Sequence, residues 1–178
     1  MHAKSFAKVN LFLHLLARNS NGYHQIQSYM IFLSLFDEIF IEPASAYKSE
    51  ILGENIRDNI VDKVVFILKK FLKQDILFRI KIKKNIPIAA GLGGGSSNAA
   101  VVLEMLLQYY QVSYSLKKVI YLEASAIGAD IAFFLQSQNA FVEGIGDKIL
   151  PIKLNEHYFI LLVNPGIHIS TEYAYENS

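Results

Sequence analysis

The chain has no cysteine. That excludes disulfides and thiolate metal ligation, and nothing else in the sequence requires an oxidising compartment. A surplus of one charge sign is missing too, since 17 Lys and Arg against 16 Asp and Glu leave a formal net charge of +1. The basic residues are scattered and matched by acids, so nothing marks a nucleic-acid partner, and any site for a polyanion must be local. No apolar run reaches bilayer-spanning length, and the N-terminus, with Lys4 and Lys8 inside an alternating pattern, does not read as a signal peptide. A cytoplasmic protein without a membrane partner is therefore expected. The histidines, His2, His14, His24, His157 and His168, lack short metal-ligand spacing, so no metal site built from protein side chains is predicted. Repeats and low-complexity tracts are likewise absent.

At 178 residues, 52% hydrophobic and 19% charged, the chain can build one well-cored domain. Its most informative segment is Pro87-Ile88-Ala89-Ala90-Gly91-Leu92-Gly93-Gly94-Gly95-Ser96-Ser97. Four glycines and two hydroxyls stand there between a strand pattern (Leu77–Lys83) and an apolar helix expected from Asn98 to about Tyr110. Glycine lets the backbone take positive φ and approach a ligand, successive N–H groups point at an anion, and the helix tip adds its free amides. A Gly/Ser linker is the bland alternative, but a linker sits in polar surroundings between domains, and this run has no spacer. The run is neither a P-loop, since no lysine follows Gly95, nor a dinucleotide fingerprint, since Ser96 stands where a third glycine is needed.

Elsewhere, Phe6–Leu16 alternates with apolar odd positions, which predicts a strand burying Ala7, Val9, Leu11, Leu13 and Leu15 and showing Lys8 and Asn10 on its outer face. Asn19–Gly22 reads as a turn, and 25–35 with 38–42 as further strand. Asp58 or Asn59 can cap a helix carrying Ile60, Val64, Ile67, Leu68 and Phe71. Ser115 is expected to cap another helix reaching about Ala126, and Asp130 a short one over 129–135. A hairpin is predicted over 139–152, then a buried strand over 158–164. Strands precede helices without strict βα alternation, so the class is α+β.

Four collinear segments resemble one family, the GHMP small-molecule kinases: Ala7-Lys8-Val9-Asn10-Leu11, Gly22-Tyr23-His24, the loop with Asn98-Ala99-Ala100, and Gly128-Ala129-Asp130. The pairing of AKVNLFL with NGYH, together with FVEGIGDKILPI and NPGIHIST, is similar to the branch acting in non-mevalonate isoprenoid biosynthesis. The resemblance covers nearly all of 6–171. It implies an N-terminal domain like domain 2 of ribosomal protein S5, here 1–165, with 166–178 as the start of a linker to a C-terminal domain that the chain does not include. It departs from the family at Ala132, where proline is usual.

The same resemblance implies ATP as phosphate donor, bound by Pro87–Ser97, with Mg²⁺ as the ATP complex and Ser96 or Ser97 facing the metal or a phosphate oxygen. Asp130 corresponds to the family's catalytic aspartate and Lys8 to its catalytic lysine; left to the residues alone, they would be a helix cap and a solvated strand lysine. Asn10, Tyr23 and His24 would hold an acceptor bearing a cytidine diphosphate group, the ring stacking on the base. The region of Asp58, Asn59 and Val61 and the segment from Lys84 resemble the pocket for the nucleotide base. Two other readings stand beside this one. A smaller alcohol could be the acceptor, or the chain could bind nucleotide without turnover; its apolar content suits docking to a further domain, a second copy or a separate partner.

Overall fold

The computed structural model describes residues 1–18, 24–53, 59–128, 130–156 and 158–166. A six-stranded sheet is built on one long strand, β2 (His24–Pro43), which pairs antiparallel along its length with β1 (His2–Arg18). On its other edge β2 has two partners in succession. Residues Ile26–Met30 pair with β5 (Ala140–Gly144), and Glu38–Pro43 pair with β4 (Phe78–Lys83). Outside these lie β6 (Lys148–Pro151), antiparallel to β5, and β3 (Lys48–Leu52), parallel to β4.

Alternation in β4 sends Phe78, Ile80 and Ile82 into the core and leaves Arg79, Lys81 and Lys83 on the far face. There Lys81 pairs with Glu42, and Lys83 with Glu38. The core lies between the apolar sheet face and helices α1 (Ile60–Leu72) and α2 (Gly94–Tyr109), joined by α3 (Tyr114–Ser125) and α4 (Ile131–Gln136). Helix α1 buries Val61, Val64, Val65 and Leu68 at helical spacing, each worth about 1.5–3 kcal/mol. Its cap is Asn59, whose side-chain oxygen accepts from the Val61 amide at 3.1 Å. Asp58 lies outside the described residues, as does the expected turn at 19–22.

The structure corrects four expectations. First, β1 does not bury its odd positions throughout: Leu11 and Leu13 are exposed, whereas Lys8 is only 6% exposed. Register shifts on both sides of Lys8 break the simple alternation, because extra residues of β2 oppose Ala7 and change which side chains face the helices. Second, α2 starts at Gly94, so Gly94, Gly95, Ser96 and Ser97 belong to its first turn. Third, the cap position of α3 is Ser113, not Ser115. Fourth, residues 158–164 join no strand, and Tyr158, Phe159, Leu161 and Val163 stand exposed. An apolar run becomes a strand only when a neighbouring edge takes its backbone N–H and C=O groups, and none of the described strands does.

Candidate active site

The glycine loop is fastened to β1 beside the residue it would serve. The Lys8 amide donates to the Leu92 carbonyl at 3.0 Å, and Leu92 packs with Ala7 and Ile86 in a small cluster backed by Leu33 and Leu35. Gly93 caps α2 with φ +68; a Cβ there would sit 2.8 Å from the Phe134 ring and 3.1 Å from Lys8 Cγ. Both the conformation and the space therefore demand glycine. No acidic side chain occupies the first turn of α2 and no side chain caps it. Its amides and the positive end of its dipole remain available to an anion. Pro87, Ile88, Ala89 and Gly91 are exposed along the loop, Ala90 is half-buried, and Ala89 takes φ +56, a conformation costing a non-glycine residue roughly 1–2 kcal/mol.

Lys8 reaches the same place from below. Its Nζ lies 3.5 Å from Asp130 Oδ2 and donates to Asn10 Oδ1 at 2.6 Å. Asn10 in turn donates to Ser28 Oγ, and Ser28 to the Phe12 carbonyl, each at 2.6 Å. Asp130 occupies the cap position of α4, yet its side chain makes no capping bond and keeps 25% of its surface. The carboxylate is thus held by the ammonium and not by the helix. Burying an ammonium this deeply is costly without compensating contacts, which Asp130 and Asn10 provide.

Ser97 is fully occupied: buried at 1%, its hydroxyl accepts from Ser5 and donates to the Phe6 carbonyl, each at 2.7 Å. Ser96 is the half-buried hydroxyl of the pair, and its Oγ lies 3.5 Å from where a Cβ on Gly128 would stand. Ser96 and Asp130 are the side chains able to face a cation carried in by phosphate oxygens, while the described residues hold no cluster of three or more acidic or histidine side chains.

The structure thus brings Lys8, Asn10, Asp130 and the 87–97 loop together. His24 opens β2 opposite Arg18, six residues before Met30, the partner of Asn10, or roughly 20 Å along the ladder at ~3.3 Å per residue. Tyr23 and Ala129 lie outside the described residues. Reasoning from sequence missed Asp37, which is fully buried beneath the loop. Its one signal was an acid interrupting the otherwise apolar strand Met30–Phe36 and Ile39–Ile41.

A glycine-lined turn opening onto a bare helix tip, beside an ammonium paired with a carboxylate, is an arrangement suited to an anion such as a phosphate. Residues 59–138 match the family described as GHMP kinases N terminal domain, whose fold the chain shares. A relative from Francisella philomiragia named 4-diphosphocytidyl-2-C-methyl-D-erythritol kinase is 42% identical over 98% of this chain and 64% of that protein. One of the same name from Acinetobacter baumannii is 38% identical over 93% of this chain and 60% of its own length. The chain therefore spans somewhat under two thirds of these relatives. A solved structure titled 4-(cytidine 5'-diphospho)-2C-methyl-D-erythritol kinase superposes with a TM-score of 0.74 at 34% identity, covering 86% of this chain and 56% of that one. Mevalonate kinase from Methanococcus jannaschii, with a TM-score of 0.61 at 18% identity, shares the fold.

Proposed function

We propose that this chain provides the ATP site and the catalytic pair of a kinase that phosphorylates the 2-hydroxyl of 4-diphosphocytidyl-2-C-methyl-D-erythritol. The observation that carries the reading is the Lys8–Asp130 pair, 3.5 Å apart, beside the Gly93 turn that leaves no room for a side chain. In that reading the loop amides and the α2 tip bind the nucleotide's phosphates. Asp130 accepts the proton of the acceptor hydroxyl as its oxygen bonds to the γ-phosphorus and the bond to ADP breaks. Lys8 pairs with Asp130 and stabilises charge on the transferred group, and Asn10 holds Lys8 in place. Mg²⁺ carried by ATP would supply charge neutralisation, and the half-buried Ser96 hydroxyl would be the loop group to face it. Tyr23 and His24 grip the cytidine end of the acceptor, and the distance along the ladder from Asn10 to His24 favours an extended acceptor over a compact alcohol.

The test is ADP release by the folded chain, dependent on the cytidyl substrate. Acceptor-independent or absent release would reject the reading. A second reading, nucleotide binding without turnover, draws on the exposed apolar run from Tyr158 to Val163, which suits a surface that needs covering before the site works. MgATP binding with no product from any acceptor would select it.

A further inference from the structure

We propose that Asp37 is the positioning residue of the nucleotide loop, a buried carboxylate that fastens both ends of the loop to the sheet. The proposal rests on the phosphate-binding reading above. Asp37 is fully buried on β2, opposite Ser5 of β1, in the stretch of β2 between its two partner strands. One carboxylate oxygen accepts the backbone amides of Asn85 at 2.8 Å and Ile86 at 2.9 Å, where the loop begins. The other accepts Asn98 Nδ2 at 2.9 Å, where the loop has become helix α2, and pairs with the Lys84 ammonium. Lys84 also donates to Asn98 Oδ1 at 3.2 Å, so the two ends of the loop are tied to each other as well as to Asp37.

From Asn98 a line of bonds runs on to Ser5, then to Ser97, then to the Phe6 carbonyl, two residues before Lys8. Each of these side-chain oxygens has a donor aimed at it. The arrangement sets the height of the loop amides over Lys8.

A buried ion pair is a poor way to gain stability, because desolvation offsets most of the attraction and well-packed apolar residues of similar volume do as well or better. Here every bond of the carboxylate goes to the ends of the loop, which is what positioning requires and stability does not. Gly94 shows how tight the junction is, since a Cβ on it would lie 3.0 Å from the Lys84 ammonium.

The test is the charge-neutral double substitution Asp37→Leu with Lys84→Met. If the pair served stability alone, the folded variant would melt lower, since the Ile86 amide loses its acceptor, and ATP binding would be unchanged. Positioning predicts a folded variant that binds MgATP at least about tenfold more weakly. It also predicts faster hydrogen exchange at the Asn85 and Ile86 amides without nucleotide. A folded double variant with unaltered MgATP affinity and exchange overturns the proposal. Should that variant not fold, Asn98→Leu removes one strap only and decides in the same way: unaltered MgATP affinity refutes, a loss confined to phosphate-bearing ligands supports. If the unaltered chain binds no MgATP, the kinase reading fails by itself, and the exchange rates still judge Asp37.

Discussion

Two polar chains run through this molecule on either side of Ala7, and they end differently. The first, Asp37 through Asn98, Ser5 and Ser97 to the Phe6 carbonyl, closes on itself, with all four side chains at most 2% exposed. The second starts at the Phe12 carbonyl, passes Ser28 and Asn10 to Lys8, and stops at Asp130, which is still partly open to solvent. Both use the same sheet strands and similar residue types. The lesson is that a completed network fixes backbone, whereas one ending in an incompletely satisfied charge has capacity left for a substrate.

The comparison can be broken at its open end first. Asp130→Ala should lower turnover by about 10²–10⁴-fold, the range for losing a general base, while MgATP affinity stays near its original value. Steady-state rates beside a binding isotherm measure this, and a parallel loss of binding and turnover would place Asp130 on the structural side. At the closed end the expectation reverses. Ser97→Ala should destabilise by about 2 kcal/mol in urea unfolding, because it leaves the buried Ser5 hydroxyl without its acceptor and the Phe6 carbonyl without the Ser97 donor. Adding Ser5→Ala should cost less than the sum of the two single changes.

A third polar set sharpens the contrast. Tyr47 and Ser49 both donate to Asp62 Oδ1 at 2.5 Å, holding β3 and the preceding turn to the first turn of α1. Burial, then the Asp62 hydrogen bond and charge, push the Tyr47 phenol well above its ordinary value of 10.0. With the folded value raised, the contribution is fully present below pH 10 and declines as pH climbs, because the unfolded chain loses the phenolic proton first. Tyr47→Phe should cost about 1 kcal/mol at pH 7 and flatten the alkaline fall in stability, as melting curves at stepped pH would show. The smallest effect is expected outside all three sets. Leu161→Lys, on a side chain 88% exposed, should change stability by less than about 0.5 kcal/mol but reduce self-association seen by light scattering.

Much of this was legible in the chain. The glycine run, the helical spacing of Val64 and Leu68, a cap at Asp58 or Asn59 and the alternation of β4 are local patterns whose physics acts within a few residues. So is Asp130 at the start of α4, although only the folded chain shows its carboxylate turned towards Lys8 and not onto the helix. What escaped was nonlocal. Period-2 alternation says that a strand has two faces without saying which is buried, and the irregular register near Ala7 moved Lys8 inward while leaving Leu11 and Leu13 outside. Asp37 finds its partners 47 to 61 residues away, beyond any window of sequence. The run from Tyr158 to Asn164 has the composition of a buried strand, but composition cannot supply a neighbouring edge.

One consequence follows from β2 taking two partners in sequence on one edge. Between Met30 and Glu38 the sheet has a seam, and Ile86, Leu92 and the amides held by Asp37 fill it. The glycine loop is therefore also the keystone of the sheet, so whatever settles on its outer surface braces the fold from outside. Ligand concentration and melting temperature should rise together, by the logarithm of occupancy.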